Sequence, residues 1–263
     1  MKTLRATWRL ILYLGITAVM YAGWLAVIPV ASLSSGGAIR WRTRCFKRWA
    51  RIVLPVIGVR LTVDGAPPDP PFLLVSNHLG YLDILLFGSR INGRFVAKSD
   101  VASWPVVGPM ARSLGTIFID RMEKRDILRV NGQLEQVLEG NEGIVIFAEG
   151  TSTGGDEIRP FRPSLLEFAA RTGLPVHAAS IWYQTPPGEP HAHHAVCWWG
   201  DMQFPTHFFD LLKLSRIEAR LVFGQDPVQA SDRKQLATEL YDEVQTLFTP
   251  VIQEENLCLP DPH

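Results

Sequence analysis

From Leu10 to Pro29 the chain is apolar, broken only by Gly and Thr, and this run constrains the fold more than any other feature. At ~1.5 Å per residue a helix here is ~30 Å long, about the thickness of a bilayer's hydrocarbon layer. The run exceeds the ~7–15 apolar residues of a secretory signal, so it is expected to remain as an anchor. Behind it Arg40, Arg42, Arg44, Lys47, Arg48 and Arg51 alternate with Trp41, Phe46, Trp49, Ile52, Val53 and Leu54. This is the pattern of an amphipathic helix at a membrane interface. Three basic residues precede the apolar run and six follow it, which suits a hairpin dipping into one leaflet as well as a spanning helix. Residues 1–58 therefore read as membrane-anchoring helices and 59–263 as a globular domain.

Charge supports that division. Residues 1–60 hold ten Lys or Arg and no Asp or Glu, so a net charge of zero conceals +10 there and −10 over the remaining 203 residues. A basic, Trp-rich leader before an acidic body selects anionic membrane lipid as its partner over nucleic acid. Cys45, Cys197 and Cys258 are far apart and lack metal-ligand spacing, which excludes a disulfide framework and points to a reducing compartment.

Beyond the leader, short β-branched apolar runs alternate with longer amphipathic stretches, the pattern of an α/β domain. Strands are expected over Val59–Val63, Phe72–Ser76, Arg94–Ala97, Thr116–Ile119, Gly143–Phe147, Pro175–Trp182, Ala195–Trp199 and Ala219–Phe223. Helices are expected over Asp83–Ser89, Trp104–Ser113, Lys124–Glu139, Ser164–Thr172, Phe208–Leu214 and Asp232–Glu254. Polar residues follow three of these strands directly, at Asn77-His78, Asp120-Arg121 and Glu149-Gly150-Thr151. Strand ends are where α/β folds collect their binding groups.

On a regular helix His78 and Asp83 would stand about 140° apart. They meet only if Leu79 to Leu82 form a turn, which Gly80 permits. A carboxylate on one ring nitrogen fixes the tautomer and leaves the other free to accept a proton, making a base suited to an alcohol. Taken alone, such a pair is more often structural than catalytic. Arg121 at a strand mouth can fork onto a phosphate or pair with Asp120. Gly150 permits a turn that presents N–H groups to an anion; Arg159 and Arg162 add positive charge shortly after it, and Lys98, at the end of another strand, is a further cation.

Taken in order, NHLGYLD at 77–83, GTIFIDR at 115–121, FAEGT at 147–151 and LPVHAAS at 174–180 resemble the four motif blocks of the lysophosphatidate acyltransferase (PlsC-like) family. The resemblance spans 59–182 and implies a mixed twisted sheet covered by helices, like that of the glycerol-3-phosphate acyltransferases. It implies acyl transfer from acyl carrier protein or coenzyme A to a lysolipid hydroxyl, without cofactor or metal. By that carry-over His78 is the general base and Asp83 its partner. Asn77, Lys98, Arg121, Glu149, Gly150, Thr151 and Arg162 are expected to bind substrate, and Pro175 to shape an acyl pocket. The implied setting is the bacterial inner membrane, with the catalytic domain cytoplasmic.

Two departures bear on the acceptor. Ala148 stands where the family usually has Pro, and Ser152 where it usually has Arg. Loss of that Arg removes one phosphate ligand. The expected acceptor is 1-acylglycerol-3-phosphate, with lyso-ornithine lipid as the alternative, because the segment 149–155 is similar to a branch holding both activities. A lipid-ester hydrolase would need a Gly-x-Ser-x-Gly elbow, which the chain lacks. A membrane scaffold would leave three polar strand ends unexplained. His191, His193 and His194 lie in a Pro-rich loop without an acidic or Cys partner at ligand spacing.

Overall fold

The computed structural model describes residues 1–34, 36–104, 107–120 and 124–252. Two N-terminal helices, α1 (Lys2–Ala31) and α2 (Gly37–Val56), form a hairpin ahead of strand β1 (Val59–Asp64). The chain continues through β2 (Phe72–Ser76), α3 (Leu82–Arg90), β3 (Gly93–Lys98), α4 (Val107–Ser113), β4 (Ile117–Ile119), α5 (Lys124–Glu139) and β5 (Gly143–Phe147). It closes with α6 (Glu167–Thr172), β6 (Val176–Gln184), α7 (Ala192–Ala195), α8 (Phe204–Lys213), β7 (Ile217–Phe223) and α9 (Arg233–Leu247).

The seven strands form one sheet in the order β1-β7-β6-β2-β5-β3-β4. The neighbours from β6 to β4 are parallel, whereas β7 runs antiparallel to β6 and parallel to β1. The sheet is thus mixed, as expected. β2 and β5 are buried at every residue, because a central parallel strand has helices on both faces and must be apolar on both. Alternation divides their side chains. Phe72, Leu74, Val145 and Phe147 face a core shared with α2, α3 and α8, while Leu73, Val75, Ile144 and Ile146 face one shared with α5, α6 and α9. The ends of β2, β5 and β3 that lead to His78, Glu149 and Lys98 lie on one edge of the sheet.

Several expectations need correction. Ala195–Trp199 is not a strand: α7 ends at Ala195, and the amides of Val196 and Cys197 both bond to the Ala192 carbonyl. Its apolar residues are buried because the segment crosses the sheet edge, where the Trp198 amide donates to the Leu79 carbonyl at 2.7 Å. α9 stops at Leu247, short of Glu254, since Pro250 follows and disfavours helix before it. α8 begins at Phe204, with Pro205 in its first turn, and Trp104 precedes α4. The amphipathic helix α2 turns Phe46, Ala50, Val53 and Leu54 into the protein core, so its apolar stripe serves packing more than lipid.

α2 is tied to the body by charge as well. Glu142, just before β5, is only 3% exposed and accepts from Arg42 of α2 and from Arg94 of β3, the latter at 3.0 Å (Nε) and 2.5 Å (Nη2). Removing one member of a buried ion cluster leaves the rest uncompensated. Glu142→Ala is expected to lower unfolding stability by about 3 kcal/mol, measured by denaturant titration in detergent, whereas loss of under 1 kcal/mol would mean the arginines are solvated.

Candidate active site

The site begins where the β2 ladder ends. Asn77 is 1% exposed, and its side chain continues the pairing with β6: Nδ2 donates to the Ile181 carbonyl at 3.0 Å and Oδ1 accepts from the Ile181 amide at 2.8 Å. A substrate-binding role for Asn77 is therefore not what its contacts show. The asparagine fixes the exit angle of the chain, and His78 follows.

The chain from Leu79 to Leu82 makes the turn that the His-Asp spacing demands. Asp83 lies in the first turn of α3, fully buried, and its Oδ2 accepts from His78 Nδ1 at 2.7 Å, the Leu79 amide at 2.7 Å and the Gly80 amide at 3.0 Å. Its Oδ1 accepts from the Tyr183 hydroxyl at 2.7 Å. Gly80 has φ +154°, and a Cβ there would meet Trp198 Cβ and N at 3.0 Å, so the turn and the crossing segment require glycine together. Burial, and then the Asp83 charge, hold the Tyr183 hydroxyl well above its ordinary pKa, which keeps it a donor.

The His78 ring stacks on Phe147 with centroids 4.0 Å apart and planes 13° apart. Its side chain is 22% exposed. With Nδ1 committed to Asp83, Nε2 is the nitrogen left for a substrate proton, and it has no hydrogen-bond partner among the described residues. Phe147 ends β5, and Glu149 follows it. Glu149 Oε1 accepts from the His78 amide at 2.7 Å and Oε2 from the Arg159 amide at 2.8 Å. The Thr153 amide donates to the His78 carbonyl at 2.9 Å, so the loop after β5 grips His78 from both backbone sides. Burial chiefly, with the nearby Asp83 charge, pushes the Glu149 carboxyl up to about 7, while the amides of Arg159 and His78 and the Arg159 charge pull it down.

The other expected residues divide. Gly150 (φ +82°) makes the turn, and Thr151 and Arg162 are exposed beside it, with Arg162 Nε 3.3 Å from the Glu149 carbonyl. Lys98 stands on the same sheet edge, exposed and 3.5 Å from Asp100. Pro175 is not brought here: it precedes β6 at the level of Phe72, about 13 Å along the strands from Ser76 and the catalytic edge. Arg121 lies outside the described residues. His193 bonds the Gly154 carbonyl at 2.8 Å and so braces the same loop. Sequence reasoning missed Tyr183 and Thr153. A Tyr late in the apolar run of β6 was the available signal, because a buried hydroxyl needs a partner.

A wholly buried carboxylate bonded to an imidazole whose other nitrogen is free at the sheet edge is an arrangement able to take a proton from an incoming hydroxyl. Comparison agrees. The sequence model of the family described as Acyltransferase matches residues 60–182. The lyso-ornithine lipid O-acyltransferase of Rhodobacter capsulatus is 33% identical over 220 residues, 81% of this chain and 79% of the relative. The 1-acyl-sn-glycerol-3-phosphate acyltransferase of Neisseria meningitidis is 27% identical over 216 residues, covering 81% and 84%. The crystal structure of the 1-acyl-sn-glycerophosphate acyltransferase PlsC from Thermotoga maritima superposes with a TM-score of 0.67 at 20% identity, covering 94% of this chain and 98% of that one. The chain belongs to the PlsC-like acyltransferase family and is an acyltransferase.

Tyr183→Phe keeps the ring and removes one donor from a fully buried carboxylate. It is expected to cost about 1–3 kcal/mol of stability, read from chemical unfolding. Unchanged stability would show that Oδ1 finds another donor.

Proposed function

We propose that the enzyme moves a fatty acyl group from an acyl carrier protein or coenzyme A thioester to the free hydroxyl of a membrane lysolipid, with His78 as general base. The observation that carries this reading is the His78 Nδ1 to Asp83 Oδ2 bond of 2.7 Å, made by a wholly buried carboxylate to a ring that is 22% exposed. Asp83 accepts the Nδ1 proton, which fixes the tautomer with Nε2 as acceptor. Nε2 takes the hydroxyl proton as the oxygen attacks the thioester carbonyl. The C–S bond then breaks, and the proton passes to the leaving thiolate. The reaction needs neither an enzyme nucleophile nor a cofactor.

For the acceptor, lyso-ornithine lipid is the reading we favour. Ser152 stands where a phosphate-binding Arg is usual in the family, and the Rhodobacter relative carries that activity in its name. Lysophosphatidate is the second reading, supported by Arg159 and Arg162, exposed beside the Glu149–Thr151 turn.

The anchor is read as a hairpin in one leaflet. Lys2 pairs with Glu189 at 3.1 Å, Arg9 donates to the carbonyls of Leu212, Leu214 and Ser215, and Tyr13 packs edge-on against Phe208. The first half of α1 is thereby bound to the body. The remainder, Ala18 to Ala31, rises only ~21 Å, less than the ~30 Å of a hydrocarbon core. Val19, Leu25 and Val30 are exposed on it and are the groups offered to lipid. The run is long and apolar enough to cross a membrane; in its first half Leu10, Tyr13 and Ile16 pack against the body while Ile11 and Leu14 stay exposed. The setting is the bacterial inner membrane, catalytic domain on the cytoplasmic side.

Purified enzyme in detergent, given a labelled acyl thioester with lyso-ornithine lipid or lysophosphatidate, is expected to label the former faster. His78→Ala is expected to lose roughly 10²–10⁴ in rate while staying folded. Full activity of that variant would overturn the assignment of the base. Replacing Val19, Leu25 and Val30 with Glu is expected to abolish co-sedimentation with anionic vesicles and leave turnover of detergent-dispersed lysolipid intact. Retained sedimentation would refute the leaflet hairpin.

A further inference from the structure

The family resemblance casts Glu149 as a ligand for the acceptor head group. Its surroundings leave no room for that. The residue is only 2% exposed, and each carboxylate oxygen already accepts a main-chain amide. One amide belongs to His78, the first residue past the Asn77 bracket, where the β2 ladder has ended and the N–H has no strand partner. The other belongs to Arg159, on the chain returning from the loop after β5. We infer that Glu149 is a positioning residue: its two oxygens tie the backbone of His78 to that of Arg159 and thereby set where the imidazole stands. This rests on His78 being the base.

The ionised carboxylate makes both bonds at full strength. Protonation puts an O–H on one oxygen and leaves it a poorer acceptor for its N–H donor, so that bond weakens. The charged and titratable groups around it are Asp83, on the far side of the His78 backbone; Arg159, whose charge favours ionisation; Arg162, whose Nε reaches the Glu149 carbonyl; and the His78 imidazole. Burial outweighs the favourable contacts and brings the carboxyl up to about 7. The tie therefore forms and loosens across the neutral range.

The linkage has a definite sign. A carboxyl raised in the folded state contributes stability that is complete below its unfolded value, near 4.5, and is lost as pH rises through about 7. The form that holds His78 is thus the form that destabilises the fold. A residue kept for stability alone would show the opposite trend.

The test measures initial rates of acyl transfer in detergent from pH 5.5 to 8.5 for wild type, Glu149→Gln and Glu149→Asp, with acceptor and donor varied separately. Gln fills the same space and keeps one acceptor oxygen; Asp keeps the charge but cannot span both amides. At pH 8 both variants are expected to lose roughly 10- to 100-fold in kcat, with the acceptor KM within about twofold of wild type. The fall of log kcat toward acid pH should be steeper in wild type, where Glu149 must be ionised, than in Glu149→Gln, which has no carboxyl to protonate. The melting temperature of Glu149→Gln should rise relative to wild type as pH goes from 5 to 8.

A raised acceptor KM with unchanged kcat would restore the head-group role and overturn the positioning one, as would an unchanged kcat. If Glu149→Gln does not fold, Glu149→Asp decides, and a wild-type kcat for it at pH 8 refutes the tie. Absence of acyl transfer by wild type to any lysolipid would sink the proposed function instead; a flat melting difference between Gln and wild type would then still refute the burial of an ionised Glu149.

Discussion

The structure around the His78 edge of the sheet depends on one carboxylate taken wholly out of water. A lone buried Asp costs several kcal/mol unless its lone pairs are satisfied. Asp83 accepts four hydrogen bonds, from the His78 ring, the amides of Leu79 and Gly80, and the Tyr183 hydroxyl. Those donors come from β2's exit, the turn and β6, so satisfying the charge draws three parts of the fold to one point. The same requirement explains Gly80, whose backbone must bend inward under Trp198 for its amide to point at Asp83. The orientation of the His78 ring is thus set by the same bonds that satisfy the buried Asp83.

The sheet supplies the second constraint. Because β2 and β5 are parallel and in register, Ser76 opposite Phe147, the residues after each emerge side by side. Phe147 can then lie flat under the imidazole, and Glu149 can reach the His78 amide. On the other flank Asn77 mimics a strand residue toward β6. His78 is therefore held by its ring, its N–H and its carbonyl, each through a different neighbour.

Much of this was legible in the sequence, and what was not has a physical cause. Apolar runs located the central strands because burial on both faces permits nothing else, and the spacing of His78 and Asp83 with Gly80 between them demanded the turn. Alternation misled at Ala195–Trp199, where burial comes from crossing the sheet edge and not from strand pairing. Tyr183 was invisible as a site residue because its partner is 100 positions away. The basic and aromatic pattern of α2 correctly signalled amphipathicity, but it cannot say whether the apolar face meets lipid or a sheet. Pro175 came with the motif blocks, yet the register of β6 with β2 puts it at the other end.

Glu142 and Glu149 are both buried carboxylates, yet they are satisfied differently: Glu142 by two arginines, Glu149 by two neutral amides. The guanidinium pair compensates a full charge and locks α2 to β3, far from the chemistry. Two amides compensate only partly, so Glu149's carboxyl is pushed toward neutrality. An arginine in their place would stabilise the charge better, but it would set a fixed cation beside His78 and disfavour the imidazolium that forms when the hydroxyl is deprotonated. Amides hold the backbone without adding charge. The chain thus places its strong ion cluster under α2 and its weaker, amide-held carboxylate under the backbone of His78.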